Sequence, residues 1–234
     1  MELARVWTVP NWERLLVGDL FNTGAIGGLL VTLLLGLGTI VLSTLLGTLI
    51  GLVRAGASRA LRLAAGVYVQ SFRNVPALIL IFWVFFFPPL LGIELSRFAS
   101  VLVALTLFTA AYIAEIVDGG IRSVAPGHVE AARALGMSAL EIRLWIVLPQ
   151  VFFNMLPALA GRYVVAIKNT SLAFLIGLAD LTEIGKEIGA RLMTAPIEVY
   201  ITLMLLYFVV NRGLSALMRR LEDRTRFNRI FLHI

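Results

Sequence analysis

Long stretches without a charged side chain constrain this chain more than any other feature of its sequence. Residues 20–53, 74–93 and 98–114 carry no charged residue, and residues 192–211 carry only Glu198. A helix needs about 20 mostly apolar residues to cross the ~30 Å hydrocarbon core of a bilayer. Because 59% of the 234 residues are hydrophobic and the mean hydropathy is +0.92, the sequence predicts an all-α polytopic membrane protein.

A further span is predicted between residues 139 and 179. As one helix this region would be roughly 60 Å long, about twice the thickness of the hydrocarbon core. Pro149 and Pro157 are expected to interrupt it. We therefore assign residues 140–155 to the cytoplasmic interface and residues 157–178 to the span. This gives five transmembrane helices in a single transmembrane domain over residues 1–234.

Three clusters of arginine predict the orientation of these spans. One cluster follows the first span with no acidic residue in it, one surrounds residues 126–149, and one occupies residues 212–234. Cytoplasmic loops of membrane proteins are enriched in Lys and Arg. Five spans then place the N-terminus outside and the basic tail of residues 212–234 in the cytoplasm. The net charge of +6 is thus a topology signal for a chain in a lipid bilayer, and no nucleic-acid partner is expected.

The first 20 residues combine Trp7 and Trp12 with leucines and polar neighbours. Amphipathic segments with tryptophan favour the headgroup level of a membrane. Residues 1–20 are therefore predicted to form an interfacial segment on the outer face.

The chain offers little material for metal or nucleotide chemistry. It has no cysteine, and His128 and His233 are too far apart in the sequence to suggest a metal site. No G-x-x-x-x-G-K-[ST] motif is present, so any nucleotide hydrolysis must come from a partner. A membrane enzyme is also disfavoured, because no nucleophile–base constellation is recognisable and no catalytic residue is predicted.

Residues 126–149 carry the most specific local pattern. Pro126 suits the first turn of a helix, Gly136 suits its end, and Ser138 with Glu141 forms a capping box for the next helix. The pattern predicts a short helix, a sharp corner and a new helix. The run E-A-A from Glu130, with a later glycine and Ile-x-Leu-Pro, resembles the EAA loop of ABC importer membrane subunits. The resemblance implies docking of a cytoplasmic ATPase through Glu130, Ala131, Ala132 and Gly136.

Two polar clusters interrupt the apolar spans. Arg73 and Asn74 precede the helix start marked by Pro76, and a run of four polar residues begins at Lys168. A lysine at membrane depth costs at least ~2.5–3.5 kcal/mol, so it should face a cavity or a partner. An alternative is structural: Arg73 as an interfacial base and the hydroxyls as links between helices. The candidate substrate-binding residues are Arg73, Asn74, Arg162, Lys168, Asn169, Thr170 and Ser171.

Three further motifs resemble the permeases of polar amino acid importers, which take up histidine, glutamine, glutamate or arginine. They are the runs from Phe72 to Pro76, from Ala111 to Ile121 and from Lys168 to Gly177. The resemblance implies a type I ABC importer permease in a bacterial cytoplasmic membrane. It also implies as partners an ATPase dimer that binds ATP and Mg, a second identical or homologous permease subunit, and an extracytoplasmic amino acid-binding protein.

The substrate is expected to be an acidic or neutral polar amino acid. Arg73 and Lys168 supply positive charge, and Asn169 stands where many cationic amino acid permeases carry Asp. Val75 also replaces the threonine usual in the first motif. The alternative function is an ion-coupled carrier that uses Glu115 and Asp118 as proton relays, although both acids fall near the cytoplasmic end of the third span.

Overall fold

The computed structural model describes residues 8–56, 58–192 and 196–231 of the chain, and these residues are almost entirely helical. One antiparallel ribbon pairs β1 (Gly18–Asp19) with β2 (Ala25–Ile26). The helices are α1 (Val9–Val17), α2 (Leu20–Thr23), α3 (Gly28–Gly56), α4 (Arg59–Arg73), α5 (Ala77–Phe86), α6 (Arg97–Arg122), α7 (Pro126–Ala134), α8 (Ala139–Glu141), α9 (Leu148–Asn169), α10 (Leu181–Leu192) and α11 (Pro196–Phe231). The all-α prediction is confirmed.

Four helical segments are long and apolar enough to cross a membrane among the described residues: Gly28–Gly56, Arg97–Arg122, Ala139–Ile176 and Ile197–Arg224. The helices Arg59–Arg73 and Ala77–Leu91 form a fifth span only if this broken pair is counted as one. The five predicted spans are thus reached only with this pair.

The charge-free window of residues 74–93 does not form one straight helix. Its α-helical part, α5, has 10 residues, which span only about 15 Å. Pro76 precedes α5, and Pro88 begins a 3-10 helix, Pro88–Leu91, after it. Pro76 is the N-cap residue of α5. At the other end, Pro88 has no backbone N–H to donate to the carbonyl four residues earlier, so the α-helical hydrogen bonding stops there.

The predicted interruptions at Pro149 and Pro157 are wrong. A π-helical turn, Ile142–Val147, leads directly into α9, and α9 runs through Pro157. Pro149 lies where the π-helical turn passes into α9, inside one helical segment that runs from Ala139 to Ile176. A proline inside a membrane helix is tolerated when neighbouring groups satisfy the freed carbonyl. The segment instead tightens into a 3-10 helix, Thr170–Ile176, which ends at Gly177.

The chain divides into two compact units. The first contains the described parts of Met1–Leu42, Val75–Phe108 and Val164–Gly213. Its core includes Leu15 from α1 and Leu181 from α10, and the guanidinium of Arg14 contacts Glu187 at 2.8 Å. Helix α1 therefore contributes to a protein core. Trp7 lies outside the described residues, and the interfacial position of residues 1–20 stays a prediction.

The second unit contains the described parts of Ser43–Asn74, Thr109–Tyr163 and Leu214–Ile234. Its core joins Ile113 and Val117 of α6 to Val151 and Met155 of α9. Helices α3 and α6 approach closely at Gly51, where an added Cβ would lie 2.6 Å from the Cβ of Val117. Small residues allow such close approach of membrane helices.

Candidate functional site

The corner segment, residues 126–149, has the predicted sequence of short helix, turn and new helix. Helix α7 begins with Pro126 in its first turn. Gly136 has a φ of 80°, a left-handed conformation that glycine adopts readily. The Ser138 hydroxyl accepts from the Glu141 amide, and the Glu141 carboxylate accepts from the Ser138 amide. The predicted capping box is therefore confirmed.

The faces of α7 differ in exposure. Glu130 and Ala131 are exposed, whereas Ala132 is only 4% exposed and packs inside the unit. Leu135, at the end of α7, is 83% exposed, and a side chain at Gly136 would meet nothing within 4 Å. The corner thus presents small and apolar groups outward, while Ala132 seats the helix on its own unit.

A cavity of about 410 Å³ lies beside this corner. Ala131, Leu135, Trp145 and Pro149 contribute to its walls. Trp145 is 73% exposed, so much of this apolar surface remains uncovered by the described residues. The His128 ring hydrogen-bonds to the Gln150 side chain at 2.8 Å, which accounts for that histidine as a local structural contact.

The second unit also holds a group of ion pairs around α6, which we call the Glu115 centre. Oε2 of Glu115 accepts from Nη1 of Arg54 and from Nη1 of Arg73, each at 2.8 Å. Asp118 contacts Arg54 at 3.6 Å and Arg122 at 2.9 Å. Helices α3, α4 and α6 each supply charged members of this centre, so ionic contacts link three segments that are separate in sequence.

Tyr112 joins two candidate site residues within the same unit. Its ring centroid lies 3.7 Å from Cζ of Arg162 and 5.2 Å from Cζ of Arg73. Its hydroxyl donates to the backbone carbonyl of Arg73 at 3.4 Å. Aromatic rings attract guanidinium groups at such distances. Arg73 and Arg162, both candidate substrate-binding residues, therefore contact the same aromatic ring.

Asn74 ends α4, and its side-chain amide donates to the carbonyl of Gln70 at 2.8 Å. The same carbonyl also accepts from the Asn74 backbone amide at 3.2 Å, so the side chain adds a second hydrogen bond at the end of the helix. The side chain is exposed, so its oxygen is open to solvent or to another molecule.

The cluster from Lys168 to Ser171 belongs to the first unit, where α9 changes into the 3-10 helix. Thr170 is fully buried, and its hydroxyl donates to the carbonyl of Ile167 at 2.8 Å. The Ser171 hydroxyl donates to the carbonyl of Lys168 at 2.8 Å. Both hydroxyls therefore bond within their own helix rather than to another helix. Lys168 is exposed, and Asn169 and Ser171 are half-buried, so these three residues keep part of their surface accessible.

The first unit contains a second polar centre, which was not predicted from the sequence and which we call the Asp180 centre. Asp180 is fully buried. Its carboxylate accepts from the Glu183 amide at 2.9 Å and from the Tyr207 hydroxyl at 3.3 Å. Burial raises the pKa of Asp180 to about 6. The spacing Asp180-x-x-Glu183 before an apolar run is an N-cap signal that could have revealed it.

The Glu115 centre could be anticipated only in part. Glu115 and Asp118 stood out as charges near the end of a predicted span. Their arginine partners depend on how three helices pack, which the sequence does not specify. Among the described residues, no group of three or more His, Asp or Glu side chains could hold a metal ion.

Comparison with solved structures identifies the class of fold. An amino acid ABC transporter, described as crystallised with histidines, aligns with a TM-score of 0.78 and 31% identity over 84% of this chain and 92% of that chain. A methionine ABC transporter in an inward-facing conformation aligns with a TM-score of 0.65 and 22% identity. The fold is therefore that of type I ABC importer permeases.

The chain belongs to the family of binding-protein-dependent transport system inner membrane components, whose model matches residues 43–227. A probable glutamine ABC transporter permease protein, GlnP of Bacillus subtilis, is 35% identical over 84% of this chain and 91% of its own length. The glutamate/aspartate import permease protein GltK of Escherichia coli O6:H1 is 32% identical over 85% and 92%.

Proposed function

We propose that this chain forms the translocation path of an ATP-driven importer of an acidic or neutral polar amino acid. The observation that carries the proposal is the corner segment: a short helix and the turn after it expose Glu130, Ala131 and Gly136, in a chain without a nucleotide-binding motif. Such a surface suits insertion into the cleft of a separate ATPase that binds ATP and Mg. The relatives named for glutamine and for glutamate/aspartate support the substrate class.

The proposed mechanism is alternating access. An ATPase dimer closes on ATP, the corner segments follow its clefts, and the spans rock about a central site. Four or five spans enclose a pathway poorly, so a second permease subunit, identical or homologous, completes it. An extracytoplasmic binding protein delivers the amino acid. The orientation is N-terminus outside and C-terminus in the cytoplasm, in line with the arginine clusters.

The proposed substrate contacts are Arg73, Asn74, Arg162, Lys168 and Asn169. Arg73 and Arg162 are supported by their shared contact with Tyr112. Lys168 is supported by its exposure, and Asn169 by its partial exposure beside Lys168. The Thr170 and Ser171 hydroxyls bond within their helix, so in this proposal they shape the site around the other two.

The ion-coupled carrier is the weaker candidate. A proton relay needs carboxyl groups that gain and lose a proton at little cost. Glu115 and Asp118 each contact arginine side chains at 3.6 Å or less, so both carboxylates are held in ion pairs. The pairing therefore supports a structural or binding role for these acids.

A large side chain introduced on the exposed face of α7 tests whether this face binds the ATPase. Ala131→Trp should abolish co-purification of the ATPase while the permease still accumulates in the membrane, because Ala131 is exposed and a tryptophan there obstructs a partner rather than the unit itself. The matched control is Ala60→Trp on the exposed surface of α4, which should retain the ATPase. Normal ATPase recovery and uptake with Ala131→Trp would overturn the assignment.

A further inference from the structure

In the Glu115 centre, two arginine side chains share one acceptor atom. Arg54 and Arg73 both donate to Oε2 of Glu115 at 2.8 Å. If Arg73 left, Glu115 would keep its contact with Arg54, and Arg54 would keep its second contact with Asp118 at 3.6 Å. Breaking the Arg73 contact therefore leaves no carboxylate unpaired, which lowers the usual penalty for breaking an ion pair away from bulk water.

The two ends of this centre differ in accessibility. The side chains of Glu115 and Arg73 are 44% and 32% exposed, whereas those of Arg54 and Asp118 are 19% and 9% exposed. A molecule can thus reach the contact between Glu115 and Arg73 directly. The contact between Arg54 and Asp118 lies deeper and acts as the fixed end.

We propose that Glu115 is a resident counter-ion that occupies, in the unloaded transporter, the position on Arg73 that a substrate carboxylate takes during transport. This inference rests on the proposed function and names Glu115 and Arg54 as positioning residues for it. The substrate carboxylate displaces Glu115 from Arg73, and Glu115 remains on Arg54. When the substrate leaves, Glu115 returns and neutralises Arg73.

The chemistry at Arg73 fits this exchange. A guanidinium group binds a substrate carboxylate through the same kind of N–H donors that Arg73 offers to Glu115, so the two carboxylates compete for Arg73. Tyr112 contacts Arg73 and Arg162, so a carboxylate on Arg73 also lies near a second guanidinium. An amino acid supplies the required carboxylate, and an amino acid amide does not.

The exchange predicts opposite effects for the two partners of Arg73. Glu115→Gln removes the competing carboxylate and should tighten substrate binding roughly fivefold, the value of an exposed ion pair. Of these two arginines, Arg54→Gln leaves only Arg73 to bind Glu115. Glu115 should then leave Arg73 less readily, so substrate binding should weaken. A purely structural role would shift affinity in the same direction for both variants.

The experiment uses the complete transporter with its ATPase, reconstituted in lipid nanodiscs. Binding of labelled L-glutamine and L-glutamate is measured by equilibrium dialysis for wild type, Glu115→Gln and Arg54→Gln. The matched control is Arg62→Gln, because Arg62 lies on the exposed surface of α4 and is not a member of the Glu115 centre; its affinity should match wild type. Competition by L-glutamine amide, which lacks the α-carboxylate, should be weak in every variant.

Affinity shifts of the same sign in Glu115→Gln and Arg54→Gln would overturn the exchange while leaving amino acid transport intact. If the wild-type complex bound neither L-glutamine nor L-glutamate, the proposed substrate class would fail, and the exchange with it. If Arg54→Gln does not assemble, Arg54→Lys serves instead. It keeps the charge with fewer donors and should also weaken binding, and tighter binding by that variant would contradict the proposal.

Discussion

Each compact unit contains a carboxylate held by several donors, and the two differ in what holds them. Glu115 contacts two guanidinium groups, and its side chain is 44% exposed. Asp180 is fully buried and is held by neutral donors, the Tyr207 hydroxyl and the Glu183 amide. Glu115 is therefore held by charged arginine side chains, and Asp180 by uncharged hydrogen-bond donors.

This difference suggests a role in binding for the Glu115 centre and a role in stability for the Asp180 centre. Exposed ion pairs contribute little stability, about 0–1 kcal/mol, and can be broken and remade. A buried donor left without its acceptor costs about 1–3 kcal/mol. We therefore expect changes at the Glu115 centre to alter transport more than stability, and changes at the Asp180 centre to alter stability more than transport.

The largest expected effect comes from the helix contact beneath the Glu115 centre. Gly51→Leu would force α3 away from α6, because an added Cβ already lies 2.6 Å from Val117 and 2.8 Å from the Ala114 carbonyl oxygen. The contact between Arg54 and Glu115 should break, with a loss of about 3 kcal/mol and of uptake. Thermal unfolding and uptake assays measure both.

The control for this variant is Gly66→Leu on α4, where an added Cβ meets nothing within 4 Å. Hydrogen exchange sharpens the comparison, since Gly51→Leu should reduce protection in α6 and leave that of α10 unchanged. Equal loss of protection in both helices would mean that the two centres are not independent.

The second effect concerns the Asp180 carboxylate. Asp180→Ala leaves the Tyr207 hydroxyl and the Glu183 amide without this acceptor, and should cost about 2 kcal/mol at neutral pH. Asp180→Asn keeps an acceptor for the amide and removes the buried charge, so it should be at least as stable as wild type. Denaturant or thermal unfolding in detergent distinguishes them, and equal destabilisation by both would contradict the capping role.

The smallest effect is a pH dependence that belongs to Asp180. Its pKa is raised from 3.8 to about 6 by burial, so the folded protein binds this proton more tightly than the unfolded chain. The free energy of unfolding should therefore fall by about 1 kcal/mol between about pH 5 and about pH 6 through this group. Subtracting the profile of Asp180→Asn isolates it, and parallel profiles would show that Asp180 titrates normally.

The sequence predicted local features better than those that depend on distant partners. The capping box of Ser138 and Glu141 and the turn at Gly136 follow from residues within one or two turns of helix. The pairing of Arg54 and Arg73 with Glu115 depends on the packing of three helices. Only the unusual position of charges at membrane depth indicated that partners must exist.

Prolines gave the least reliable predictions. Pro157 lies inside α9 without ending it, whereas Pro76 and Pro88 bound the short α5 within an otherwise uniform apolar window. Whether a proline ends a membrane helix depends on whether neighbouring groups satisfy the freed carbonyl. That condition belongs to the packed structure and cannot be read from the residues around the proline.

The contact between Thr32 and the start of α10 has a consequence for how the chain is made. The Leu181 amide donates to the Thr32 hydroxyl across a separation of 149 residues, and the Gly28 amide donates to the Ala179 carbonyl. At synthesis rates of about 5–20 residues per second, these partners are made roughly 7–30 s after the start of α3. During that interval the start of α3 has been synthesised, whereas Ala179 and Leu181, which bond to it, have not. A threonine suits this wait, because its hydroxyl can bond to a carbonyl of its own helix until the partner arrives.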